Sequence, residues 1–235
     1  MLFKYRMVML AGLIILSFIV GMRLLENFDI NVTKSIQGFI LQKFDAGSVL
    51  AFDYITLFFT IIGSGEITGI IALLIAGMFL AHKRPKDAFF FLFFFGLSVV
   101  IELALKNVVP QPKVFSEFRR GLMPPIPIYS PFTLYAYPSG HATRTIILMG
   151  IVYYFISNLE YSKIANNLCG ASHKFLFLLA KISIVLTSFF MLISRVYEGA
   201  HWTCDIIGGI FLGSYLLLAI IEKIKPEKVK ISDDK

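Results

Sequence analysis

Ser194-Arg195-Val196-Tyr197-Glu198-Gly199-Ala200-His201-Trp202-Thr203-Cys204-Asp205 separates two long apolar runs, residues 175–194 and 206–221. Each run is long enough to cross, or nearly cross, a hydrocarbon core that takes about 20 helical residues. In lipid the backbone must satisfy its own hydrogen bonds, so both runs are expected to be helices. An arginine, a histidine and an aspartate at the edge of lipid are costly, and such groups are functional candidates by default. A second polar cluster, Pro138-Ser139-Gly140-His141, stands where another apolar run begins.

Working outward, six runs of this kind emerge, over residues 7–25, 54–81, 88–105, 142–157, 175–194 and 206–221. The alternating pattern of a membrane barrel is absent. The expectation is an all-α, polytopic membrane bundle of six transmembrane helices, forming one domain over residues 1–235. Composition agrees: 57% of the chain is hydrophobic and 16% charged, with 24 phenylalanines, far too apolar for a soluble domain. The formal net charge of +7 then reflects topology and anionic headgroups. No basic stripe with interleaved aromatics lies outside the runs, so nucleic acid is not an expected partner. Lys4 and Arg6 before the first apolar run resemble a signal peptide, but no small-x-small cleavage site follows, and the run reads as an uncleaved first span. Gly63-Ser64-Gly65-Glu66 interrupts the second run. A short interfacial helix over 54–62, with the span starting near Gly65, puts Glu66 close to the outer surface.

Placing both termini inside gives twelve Lys and Arg to the inner segments and nine to the outer ones, the sense of the positive-inside rule. The segment between the first two runs is then an outer connection. Lys106, His141 and the stretch from Arg195 to Asp205 fall on one face, at the ends of the third to sixth spans. Cys169 and Cys204 are expected on opposite sides, about 30 Å apart, too far to pair. No Cys/His cluster has zinc spacing. Residues 107–140 form the longest outer segment and hold seven of the nine prolines, with Arg119, Arg120, Tyr129 and Tyr135. A long loop over a polar site serves as a lid or binding loop, or simply as an exposed connection.

Cleaving a phosphate ester takes cationic and N–H donors for the phosphoryl oxygens, an in-line nucleophile and an acid for the leaving oxygen. His201 and Asp205 are four apart and share a helical face. A carboxylate on one ring nitrogen fixes the tautomer and leaves the other free to attack; the same spacing also serves a capping pair at a helix start. Ser139 suits an N-cap, and free N–H groups there make an anion site. His141, about the first helical position, is placed to protonate a leaving oxygen. Arg195 offers a planar fork for a phosphoryl group, or snorkels to the headgroups. Lys106 supplies a point charge, or completes a helical pair with Glu102 one turn earlier.

Taken together these residues resemble the type 2 phosphatidic acid phosphatase superfamily, which also includes vanadium haloperoxidases and polyprenyl-diphosphate phosphatases. The resemblance rests on motifs within residues 106–205. The third, Ser-Arg, five residues, His, three residues, Asp, is met from Ser194 to Asp205. The second, Pro-Ser-Gly-His, is met from Pro138 to His141. The first, Lys, six residues, Arg-Pro, keeps Lys106 but reads Lys113-Val114 where the pair should stand.

The resemblance implies roles. His201 is the nucleophile that forms a phosphohistidine, Asp205 orients it, and His141 is the general acid. Lys106, Lys113, Arg195, Ser139 and Gly140 hold the phosphoryl oxygens, with no metal and no cofactor. Lysine at position 113 keeps charge but loses bidentate geometry; Arg119, Arg120 or, first, Arg144 would compensate, unless Arg144 is a headgroup contact. The implied partner is a membrane lipid bearing a phosphate, with polyprenyl diphosphate preferred over phosphatidic acid, phosphatidylglycerophosphate or a lipid A phosphate. The implied setting is a bacterial plasma membrane, both termini cytoplasmic and the site on the outer face. Transfer of the phosphoryl group to a second lipid, and a non-catalytic lipid-binding or lipid-moving protein, are the alternatives.

Overall fold

All six apolar runs are helical, and the chain is a multi-pass membrane protein built from them. The computed structural model describes residues 2–120, 122, 133–165 and 170–224, with side chains for all of these but 162–165 and 171. Tyr129, Cys169, Lys225, Lys228, Lys230 and Lys235 lie outside the described residues, as do the Lys163 side chain and most of the proline-rich stretch. The helices are α1 (Leu2–Gly21), α2 (Glu26–Lys43), α3 (Ala46–Ile62), α4 (Gly65–Ala81), α5 (Pro85–Val108), α6 (Gly140–Ala165), α7 (Ala171–Tyr197) and α8 (Thr203–Lys223). Among the described residues there is no strand. Five helices among the described residues, α1, α5, α6, α7 and α8, are long and apolar enough to cross a membrane. The pair α3 and α4, bent by 54° at their junction, makes a sixth span when counted as one broken helix.

The break falls at the Gly63-Ser64 interruption. Ser64 caps α4 by accepting from the Ile67 N–H at 3.4 Å, and Glu66 is exposed in the first turn. The helix before it is longer than the 54–62 expectation. It begins at Ala46 because Asp45 is an N-cap, its carboxylate accepting from the Ser48 N–H at 3.0 Å.

The outer connection expected between the first two spans is also helical. In α2, Asp29, Thr33 and Gln37 repeat every fourth residue and are all buried. Asp29 accepts from the Cys204 N–H at 2.9 Å and from Gln111 Nε2 at 2.9 Å. Gln37 Nε2 donates to the carbonyls of Phe118 and Tyr197 at 2.7 and 2.8 Å. Asp29 and Gln37 of this inward stripe therefore hold backbone groups of distant segments, while the Thr33 hydroxyl has no partner among the described residues. Burial pushes the Asp29 carboxyl up to about 6 despite those hydrogen bonds.

Helix α8 is central, packed against α1, α5 and α6. Leu212, Leu216 and Ile220 of α8 meet Ile147 and Ile151 of α6, Phe91 and Phe95 of α5, and Leu13 and Val20 of α1. Helix α7 is mostly exposed, with Phe175, Leu176, Val185 and Phe189 turned outward, as a lipid-facing span requires. Lipid tails are as apolar as leucine, so helices associate in the bilayer through close packing rather than water exclusion. Small residues make that possible here. A Cβ on Gly209 would come 2.5 Å from the Ser139 carbonyl oxygen, and one on Gly213 2.7 Å from that of Thr143. The bare face of α8 thus lets the start of α6 lie directly on it.

Candidate active site

Four helix ends meet at one end of the bundle. Lys106 closes α5, Ser139 precedes α6, Arg195 stands in the last turn of α7, and Asp205 in the first turn of α8. The contact through Gly209 is continued by a hydrogen bond from the Ser139 N–H to the Asp205 carbonyl, 2.9 Å. The Tyr135 N–H donates to the Lys106 carbonyl at 2.9 Å, and the Ala136 N–H to Gln111 at 3.0 Å. The Trp202 indole N–H donates to the Pro112 carbonyl at 2.9 Å. Loops from distant stretches are therefore stitched to one another around the cluster.

His201 ends the turn after α7, its N–H donating back to the Arg195 carbonyl at 3.2 Å. Its Nδ1 lies 3.2 Å from Asp205 Oδ2. The same carboxylate oxygen accepts from the Trp202 N–H at 3.0 Å, so Asp205 caps α8 and meets the imidazole at once. The capping and the orienting arrangements, alternatives on sequence, are present together. Asp205 is fully buried, and its Oδ1 has no partner among the described residues. With the proton on Nδ1, His201 donates to Asp205 and keeps a lone pair on Nε2. Burial first, then the charges of Lys106 and Arg195, hold this imidazole well below its ordinary value; Glu102 opposes them in part. These surroundings favour the neutral imidazole at His201.

His141 faces it with ring centroids 6.5 Å apart. Ser139 does cap α6, its hydroxyl accepting from the Ala142 N–H at 3.4 Å. Arg195, buried, donates to the Thr60 hydroxyl, to the Thr56 carbonyl at 3.3 Å, and pairs with Glu198 at 3.0 Å. Lys106, also buried, donates to the Ala136 carbonyl at 2.9 Å and lies 3.8 Å from Glu102. The helical pair with Glu102 is thus real. Arg144 pairs with the same carboxylate at 2.9 Å. Lys113 is exposed, near enough to Lys106 for the two charges to interact. Arg119 and Arg120 turn elsewhere, to the Val114 carbonyl at 3.3 Å and to Asp53 at 3.8 Å.

Two residues of this cluster escaped the sequence reading. Thr60 in α3 contacts Arg195, Glu198 at 2.8 Å, and, through its carbonyl, His141 Nε2 at 3.4 Å. Glu198 completes that triangle. The available signal was Thr56 and Thr60, four apart in an otherwise apolar stretch.

Comparison with known proteins agrees with this picture. A profile of the PAP2 superfamily matches residues 87–227, more than half of the 235. The chain belongs to the PAP2 superfamily, the type 2 phosphatidic acid phosphatases. A protein named phosphatidylglycerophosphatase B, from Bacillus subtilis, is 26% identical over 165 residues, covering 68% of each chain. An undecaprenyl-diphosphatase from Sulfolobus acidocaldarius is 34% identical over 137 residues, 57% of this chain and 54% of that one. A lipid phosphate phosphatase delta from Arabidopsis thaliana is 33% identical over 94 residues, 38% of this chain and 20% of that one. These relatives are phosphatases, and the chain is an enzyme of that class. The crystal structure of a transmembrane PAP2-type phosphatidylglycerolphosphate phosphatase from Bacillus subtilis has the same fold. Its TM-score is 0.70 at 20% identity, with 95% of this chain and 98% of that one covered.

Proposed function

We propose that this membrane phosphatase hydrolyses a phosphomonoester or diphosphate of a membrane lipid in two steps, through a phosphohistidine on His201. The observation that carries the reading is the pair of facing imidazoles, one backed by a buried carboxylate, among buried cations. In the first step His201 Nε2 attacks phosphorus and the bond to the leaving oxygen breaks. His141 gives that oxygen its proton. In the second step His141 takes a proton from water, which attacks the phosphohistidine and releases phosphate. Asp205 balances the imidazolium charge. Arg195, Lys106, Arg144, the Ser139 hydroxyl and the Gly140 N–H hold the phosphoryl oxygens, with Lys113 at the rim. The resemblance assigns no metal to this chemistry.

The Lys and Arg bias of the sequence supports cytoplasmic termini and a site at the outer face of the plasma membrane. There a lipid presents its phosphate while its tails stay in the bilayer. The relatives' names span glycerophospholipid and polyprenyl-diphosphate substrates, so the proposed substrate class is the lipid phosphate itself. The test is phosphate release by the purified protein from a panel of such lipids. Vanadate, which mimics five-coordinate phosphorus, should inhibit, and chelators should not. Absence of release from every lipid phosphate, or a requirement for added metal, would overturn the reading.

A further inference from the structure

Beside Asp205, which meets His201, and Glu198, which meets Arg195, a third carboxylate of the cluster has the wrong sign for holding phosphate. Glu102, in α5, is 7% exposed. Its Oε2 accepts from Arg144 Nη1 at 2.9 Å, and its Oε1 lies 3.8 Å from Lys106 Nζ. The carboxylate also presses against Gly140, the first residue of α6, so closely that a Cβ there would overlap it. The start of a helix is where unbonded N–H groups and the positive end of the dipole gather. Two buried cations and a helix start thus converge on one internal carboxylate. They are the same groups that the proposed function gives to the phosphoryl oxygens. A carboxylate and a phosphoryl group cannot share that space, since like charges at contact repel strongly away from water. Arg144 Nε, by contrast, has no partner among the described residues, so its guanidinium has a donor to spare.

We propose that Glu102 is a displaceable internal anion, seated in the phosphate cradle until a substrate of higher charge takes over Arg144, Lys106 and the α6 N–H groups. The inference rests on the reading above and adds a specificity rule to it. An incoming headgroup must outcompete a resident negative charge. A phosphomonoester or diphosphate carries two or more charges and can do so. A phosphodiester lipid carries one and is turned away. Glu102 thereby separates scarce substrates from the phosphodiester lipids that surround the protein, before any chemistry occurs.

The test uses the full-length protein in detergent, with inorganic phosphate as the probe and calorimetric titration as the readout, so that no turnover is needed. Glu102→Gln keeps the shape and one acceptor oxygen while removing the charge. It should tighten phosphate binding about tenfold or more, and should let a short-chain phosphodiester inhibit phosphate release where the unaltered enzyme ignores it. Unchanged or weaker phosphate binding in a folded Glu102→Gln protein would overturn the proposal, because it would mean that the carboxylate holds the cations in place for the substrate. If Glu102→Gln does not fold, Glu102→Asp, which keeps the charge but withdraws it by one methylene, decides the matter: tighter binding supports the proposal and equal or weaker binding overturns it. Failure of the unaltered protein to release phosphate from any lipid sinks the proposed function instead, and leaves the binding comparison readable.

Discussion

The rings of His141 and His201 stand 6.5 Å apart, centroid to centroid, with their planes inclined by 59°. One belongs to the first turn of α6 and the other to the turn before α8. That separation is within the range of paired aromatic rings, so the packing of α6 against the turn before α8 brings the two imidazoles to one place.

His201→Ala should lower kcat by about 10⁴-fold or more, the scale of losing a nucleophile, while the protein still inserts and extracts as before. Rapid quenching of the unaltered enzyme should trap an acid-labile phosphoenzyme that the variant lacks. Normal turnover by the variant would remove His201 from the mechanism.

For His141→Gln the loss should depend on the leaving group. With an alkyl or isoprenyl phosphate it should reach about 10²- to 10⁴-fold, the usual contribution of a positioned acid. With a nitrophenyl phosphate, whose leaving oxygen needs no proton, it should be much smaller. Equal losses across both substrates contradict the assignment.

Thr60→Val replaces a hydroxyl that engages both Arg195 and Glu198 by a methyl of similar size. Leaving buried polar groups short of a partner costs about 1–3 kcal/mol. If Thr60 positions Arg195 for the phosphate, KM should rise roughly tenfold or more with a smaller change in kcat, and Thr60→Ser should restore it. In an Arg195→Ala background the Thr60→Val change should add little; additive losses would show that Thr60 acts through fold stability alone.

The pH profile follows from His201. Burial, Lys106 and Arg195 hold its imidazole well below the ordinary range, and in the proposed mechanism the neutral form attacks. Activity should therefore survive as the pH drops through 6.5 and fall only at lower pH, when His201 takes up a proton. Removing a nearby cation makes protonation easier, so Lys106→Met should move the acid limb of kcat/KM to higher pH. A limb that stays put, or moves down, contradicts the electrostatic account.

Gly209→Val should separate α6 from α8, since the added atoms meet the Ser139 carbonyl and the Ala142 side chain. Overpacking of this kind costs about 1–3 kcal/mol. Thermal unfolding in detergent should fall by several degrees and activity should drop with it, whereas Gly69→Ala, in open space on α4, should leave both unchanged.

Much of this was legible in order along the chain. The apolar runs had to be helices because lipid offers the backbone no other partner, and alternate span ends share a side, so Lys106, His141 and His201 had to fall on one face. The spacing of His201 and Asp205 is local, set by one helical turn, and it reads the same in sequence and in space. Helix α2 was not legible as a helix. Asp29, Thr33 and Gln37 form a polar stripe that resembles an exposed surface until the segments bonded by Asp29 and Gln37 are in view. Thr60 and Glu198, 138 residues apart, carry no mutual signal. Nor does the sequence reveal that Glu102, an ordinary helical partner for Lys106, also takes Arg144 and sits against Gly140. The sequence alone determined which segments enter the bilayer and which charges gather at their ends, because hydrophobic length and helical period are properties of short stretches. Which of those charges satisfy one another was decided only by the tertiary structure, because burial leaves each charged group to pair with whatever the packing of distant helices brings within reach.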